Sequence, residues 1–84
     1  MNKEYNIELI VPNLYEEYNI DISKNLTIAE SIIIINKILI NLTNNNLLEK
    51  HNLYLYNRDT GEKYDLNSFI YETDIENGTT LILV

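Results

Sequence analysis

The sequence predicts a two-layer α+β domain of five strands and one helix, in the order β-β-α-β-β-β. Three observations carry that expectation. Apolar residues alternate with a period of two near both ends of the chain. A central stretch has helical spacing behind a capping motif. Turn residues punctuate the junctions. The 84 residues are enough for one domain, spanning 1–84, and leave little room for an enclosed cleft beside a core.

Each element follows in turn. Residues 5–11 place Tyr5, Ile7, Leu9 and Val11 on one face of a strand, and Pro12-Asn13 breaks it. Tyr18, Ile20 and Ile22 alternate against Asn19 and Asp21, so the first two strands are expected to form an antiparallel hairpin. Thr27-Ile28-Ala29-Glu30 has the form of a capping box, in which each end residue's side chain bonds the other's backbone N–H. Ile28, Ile32, Ile35, Leu39 and Leu42 then form one helical stripe, although the β-branched run Ile32–Ile35 favours strand. Cap, stripe and length together decide for a helix, ended by Asn44-Asn45-Asn46. Leu53–Tyr56 reads as a third strand, Asn57–Gly61 as a turn, and Lys63-Tyr64 as a short fourth strand. A loop carrying Leu66, Phe69, Ile70 and Ile75 leads through the turn Glu76-Asn77-Gly78 to a last strand over 79–84.

Composition excludes several functions. Thirteen acids against six bases give a net charge of −7 with no local cluster of Lys or Arg, so neither nucleic acid nor an anionic membrane is an expected partner. With no cysteine there is no thiolate chemistry, disulfide or cysteine-based zinc site. No apolar run approaches a membrane span, and the N-terminal residues do not read as a signal peptide, so a cytoplasmic location is expected. Fourteen Asn and fourteen Ile make a third of the residues, a bias that an AT-rich genome imposes.

The tail Tyr64-Asp65-Leu66…Ile75-Glu76-Asn77-Gly78-Thr79-Thr80-Leu81-Ile82-Leu83 resembles the ending of ubiquitin-like domains, and the element order fits that family along the whole chain. The resemblance implies a β-grasp fold, a mixed sheet with one helix packed across it. Within that superfamily the size, the opening strand Ile7-Glu8-Leu9-Ile10-Val11 and the tail from Ile75 to Leu81 most resemble the YukD/EsaB-like proteins of bacterial type VII secretion systems. That likeness implies a non-enzymatic accessory or regulatory component that binds a protein of the secretion apparatus. Ubiquitin and the sulfur carriers of the ThiS and MoaD types act through a C-terminal Gly-Gly that threads an activating enzyme. Here no glycine follows Gly78, so conjugation and sulfur transfer are not expected. A carrier or modifier that has lost its diglycine is the alternative.

Other candidate chemistry is thin. Asp59-Thr60-Gly61 is the tripeptide of aspartic proteases, but Asn57-Arg58 stand where that family places apolar residues, so a hairpin turn is the better reading. His51, the single histidine, has neither cysteine nor second histidine to work with. Glu72, Asp74 and Glu76 are too few for a calcium loop. No catalytic residue, metal or cofactor is assigned. What remains is surface. If Leu53, Leu55, Leu81 and Leu83 face the core, alternation puts Tyr54, Tyr56, Ile82 and Val84 on the outer face, with Ile10 beside them. Tyrosines among aliphatics suit a protein-binding patch, and ubiquitin-like domains commonly bind through this face. A homodimer is one form such pairing could take.

Overall fold

Alternating apolar residues build the first hairpin. The computed structural model describes residues 3–43 and 53–84. In it β1 (Glu4–Val11) pairs antiparallel with β2 (Glu16–Ser23), in a register that sets Ile7 opposite Ile20 and Leu9 opposite Tyr18. Ile7, Leu9 and Val11 are fully buried. The hairpin turns through a short 3-10 segment, Pro12–Leu14, and closes on Tyr15, whose φ of 53° is left-handed.

The helix α1 (Ile28–Thr43) starts where the capping box places it. Glu30 Oε1 accepts the Thr27 backbone N–H at 2.9 Å, and the Glu30 N–H donates to Thr27 Oγ1 at 3.2 Å. Two more N–H groups of the first turn, from Ile28 and Ala29, donate to the carbonyls of Ser68 and Leu66. The later loop thus satisfies donors that a helix start leaves open. Ile28, Ile32, Ile35 and Leu39 bury the expected stripe, but Leu42 is 65% exposed. Spacing fixes the direction in which a side chain points; it does not guarantee a packing surface beneath, and the buried stripe ends at Leu39. The expected helix end at Asn44–Asn46 lies outside the described residues.

The C-terminal half completes a mixed sheet in the order β2-β1-β4-β3. Here β3 is Leu55–Asn57 and β4 is Thr80–Leu83. The two central strands, β1 and β4, are parallel, and β3 is antiparallel to β4. Leu53-Tyr54 lies just before β3, although Tyr54 and Val84 still exchange two backbone hydrogen bonds. The expected strand at Lys63-Tyr64 is only a bridge to Tyr56, anchored by Tyr64 N–H to Leu55 O and Asn57 N–H to Glu62 O. Asp65 then turns the chain away before a longer ladder can form. Among the described residues the sheet therefore has four strands, with the sequence's fifth as β4.

One apolar core joins sheet and helix. Leu53, Leu55, Leu81 and Leu83 meet the α1 stripe, and Ile70 and Ile75 close it from the loop. Burying aliphatic side chains of this size contributes about 1.5–3 kcal/mol each before the entropy of ordering is charged. The buried polar residue Asn57 is satisfied: its Oδ1 accepts the N–H groups of Asp59 and Thr60, and its Nδ2 donates to the Tyr64 hydroxyl.

Candidate protein-binding face of the sheet

The strand register brings Ile10, Ile82 and Tyr56 into one row. Ile10 is the parallel partner of Ile82, and Ile82 is the antiparallel partner of Tyr56. In the next row Tyr54 N–H donates to Val84 O at 2.8 Å and Val84 N–H to Tyr54 O at 3.1 Å. Side chains directly opposite on neighbouring strands stand about 4.5–5.5 Å apart at Cβ. The five residues therefore form one continuous surface, although some seventy positions of sequence separate Ile10 from Ile82. Their neighbours Leu9, Leu55, Leu81 and Leu83 are fully buried, which puts the five on the face away from α1. All five are half-buried.

The rest of that face is polar and tied to itself. Asn6 Nδ2 donates to Asn19 Oδ1 (2.7 Å) and Asp21 Oδ1 (2.8 Å). Asn19 Nδ2 returns bonds to Asn6 Oδ1 (2.9 Å) and Glu8 Oε1 (2.8 Å). Amides and carboxylates that satisfy one another across β1 and β2 mark one border of the apolar rows. On the other border Lys63 Nζ lies 4.5 Å over the Tyr54 ring, a cation–π contact that adds one base to the patch. The sequence held a signal for Lys63: a hairpin closing at Gly61 sets it beside Tyr56.

The other candidates are not brought together. Asp59 is exposed, and its carboxylate pairs with Arg58 Nε at 2.9 Å, with Gly61 supplying the positive φ of the turn. Glu72 accepts the Phe69 N–H and Asp74 accepts the Tyr64 hydroxyl at 2.6 Å, so these acids hold the loop. Among the described residues there is no cluster of three metal-ligating side chains. His51 lies outside the described residues. Burial, and next the bond to Asp74, push the Tyr64 hydroxyl well above the ordinary tyrosine range.

Sequence reasoning did not single out the exposed apolar residues of α1, Ile33, Ile34 and Ile38. The signal was present. Four consecutive isoleucines cannot all lie on one stripe of a helix, so Ile33 and Ile34 had to face elsewhere.

No family model matches the sequence, and no curated protein matches it. Solved structures do. A chain of the MycP5-free ESX-5 inner membrane complex (State II) superposes with a TM-score of 0.79 at 12% identity, over 99% of this chain and 21% of that one. This chain thus spans about a fifth of that ESX-5 chain's length. The EccD5 ubiquitin-like domain of Mycobacterium xenopi gives a TM-score of 0.78 at 15% identity, covering 99% and 94% of the two chains. The ubiquitin-like domain of the Mycobacterium tuberculosis type VII secretion protein ECCD1 gives 0.76 at 9%, covering 100% and 99%. Identities this low show the fold alone, and the fold is ubiquitin-like, a β-grasp. No helix among the described residues is long and apolar enough to cross a membrane.

Proposed function

We propose that residues 1–84 form a single, non-conjugating, non-enzymatic ubiquitin-like module that binds a protein component of a bacterial type VII secretion apparatus. It would act from the cytoplasm as an accessory or regulatory subunit, of the kind the YukD/EsaB-like proteins represent. The binding surface is the outer sheet face of Ile10, Tyr54, Tyr56, Ile82 and Val84. The observation that carries this is the register that gathers these five residues into two adjoining rows across β1, β4 and the strand region before Asn57. The fold likeness to ubiquitin-like domains of type VII secretion proteins supports the choice of apparatus.

Affinity capture from a lysate of the source organism tests the reading, with wild type beside Tyr54→Glu and recovery read by mass spectrometry. Wild type is expected to retain secretion components that the variant loses, while thermal stability changes little because Tyr54 lies outside the core. Recovery of an adenylating enzyme, or recovery independent of Tyr54, would overturn the assignment.

A further inference from the structure

Of the fourteen asparagines, Asn77 alone precedes a glycine. That neighbour matters chemically. A glycine nitrogen has no side chain beside it to block its approach to the asparagine Cγ, so Asn-Gly is the dipeptide most prone to close a succinimide ring. The turn explains why glycine stands there. Gly78 has a φ of +88°, a conformation that residues with side chains seldom adopt. A Cβ built on it would meet nothing within 4 Å. Backbone conformation, not crowding, therefore demands glycine, and the same demand makes the bond reactive.

The fold holds both reacting groups. Parallel pairing of β1 with β4 sets Glu8 opposite Thr80, and Glu8 N–H donates to Thr79 O at 3.0 Å. One step further along a regular parallel ladder, Asn6 N–H would donate to the backbone carbonyl of residue 77. The Asn77 side chain takes that carbonyl's place. Asn6 N–H donates to Asn77 Oδ1 at 2.9 Å, and Gly78 N–H donates to Asn6 O at 2.8 Å. Thr79 closes the turn, its N–H donating to Glu76 O and its Oγ1 accepting the Glu76 N–H. The electrophile and the nucleophile of a ring closure, Asn77 Cγ and Gly78 N, are thus tethered to the two backbone groups of one residue. Asn77 and Gly78 are both exposed, so water reaches them. What stands in the way of reaction is the backbone of Asn6, not burial.

We propose that Asn77 is a site of spontaneous deamidation gated by Asn6, inert while the start of β1 is paired and reactive when that end opens. On opening, hydroxide removes the Gly78 N–H proton, the nitrogen attacks Cγ, and the tetrahedral adduct expels the side-chain nitrogen as ammonia. Water then adds to one carbonyl of the imide, leaving aspartate or isoaspartate. The net change is amide plus water to acid plus ammonia, with no oxidation or reduction. Isoaspartate carries the main chain through Cβ and Cγ, which lengthens the turn by one carbon, so it does not restore both bonds and Asn6 stays released. Either product adds one negative charge to a chain already at −7. That charge arrives next to Asn6, whose side chain is bonded to Asp21. A strand end opens far more readily than the whole domain unfolds, so the modification is a one-way record of small excursions. It does not rest on the function proposed for the sheet face.

The test incubates the intact wild-type chain at mildly alkaline pH and follows Asn77 by peptide mapping and mass spectrometry. A synthetic peptide spanning residues 75–80 is the unrestrained reference, and hydrogen exchange of the Gly78 amide is measured on the same sample. Deamidation in the folded chain is expected to run about tenfold or more slower than in the peptide, the factor that an opening cost of about 1.4 kcal/mol gives. The slowing should match the exchange protection of the Gly78 amide, because one opening frees both. In urea the chain should react as fast as the peptide. The isoaspartyl form, separated by its extra charge, should exchange the amides of Asn6 and Gly78 faster than wild type. The proposal is overturned if the folded chain reacts as fast as the peptide, if the slowing persists in urea, or if it does not follow Gly78 exchange. It is overturned equally if the isoaspartyl form keeps the protection of wild type at Asn6 and Gly78.

Discussion

Tyr64 shows what a single side chain holds in place. Its ring is in the core, and its hydroxyl donates to Asp74 at 2.6 Å while accepting from Asn57 Nδ2 at 3.1 Å. Asn57 in turn holds the Asp59–Thr60 turn, so one hydroxyl links the β3 hairpin to the long loop. Tyr64→Phe keeps the ring and leaves both polar partners wanting, so it is expected to cost about 1–2 kcal/mol, read as a fall in Tm of roughly 5–10 °C. The pH dependence has a definite sign. Burial raises the hydroxyl above its ordinary value, so the unfolded chain loses this proton first. The stabilisation is complete below about pH 10 and is lost progressively as pH climbs from there. Wild type should therefore lose stability more steeply than Tyr64→Phe under alkaline conditions, and equal slopes would contradict the assignment.

At the scale of elements, the start of α1 carries the most checkable claim. Thr27→Ala removes the hydroxyl that accepts the Glu30 N–H and donates to Glu30 Oε1 at 3.0 Å. The expected cost is about 1 kcal/mol in urea or thermal unfolding, with Thr27→Ser restoring it. The bonds from Thr27 hold the Glu30 carboxyl below its usual value, so its contribution is present above about pH 4.3 and lost as pH falls further. Part of the gap between the two proteins should close there. This cap was legible in the sequence because a capping box is local chemistry at fixed spacing. Strand faces were legible for a similar reason, since alternation decides which side each residue takes. The fate of Lys63-Tyr64 was not: whether two residues extend a ladder or make one bridge depends on where the following loop must go. Leu42 failed likewise, because the pattern along a helix does not report where the opposing sheet ends.

For the whole molecule, the element order and the resemblance carried by the segment from Tyr64 to Leu83 pointed to the β-grasp, and the structure has it. The parallel pairing of β1 with β4 makes the chain's two ends the centre of the sheet, and that pairing assembles Ile10, Ile82 and Tyr56. Alternation predicted their common face, but only the register shows them contiguous and bordered by the Asn6–Asn19–Asp21–Glu8 network. Site-specific photo-crosslinking in living cells tests the central claim most directly, with p-benzoylphenylalanine placed at position 56 or, on the polar half of the same face, at position 19. An adduct from position 56 to a type VII secretion component, with none from position 19, is the predicted result. Adducts from position 19 alone, or from neither position, would contradict the assignment of Tyr56 and its neighbours as the binding face.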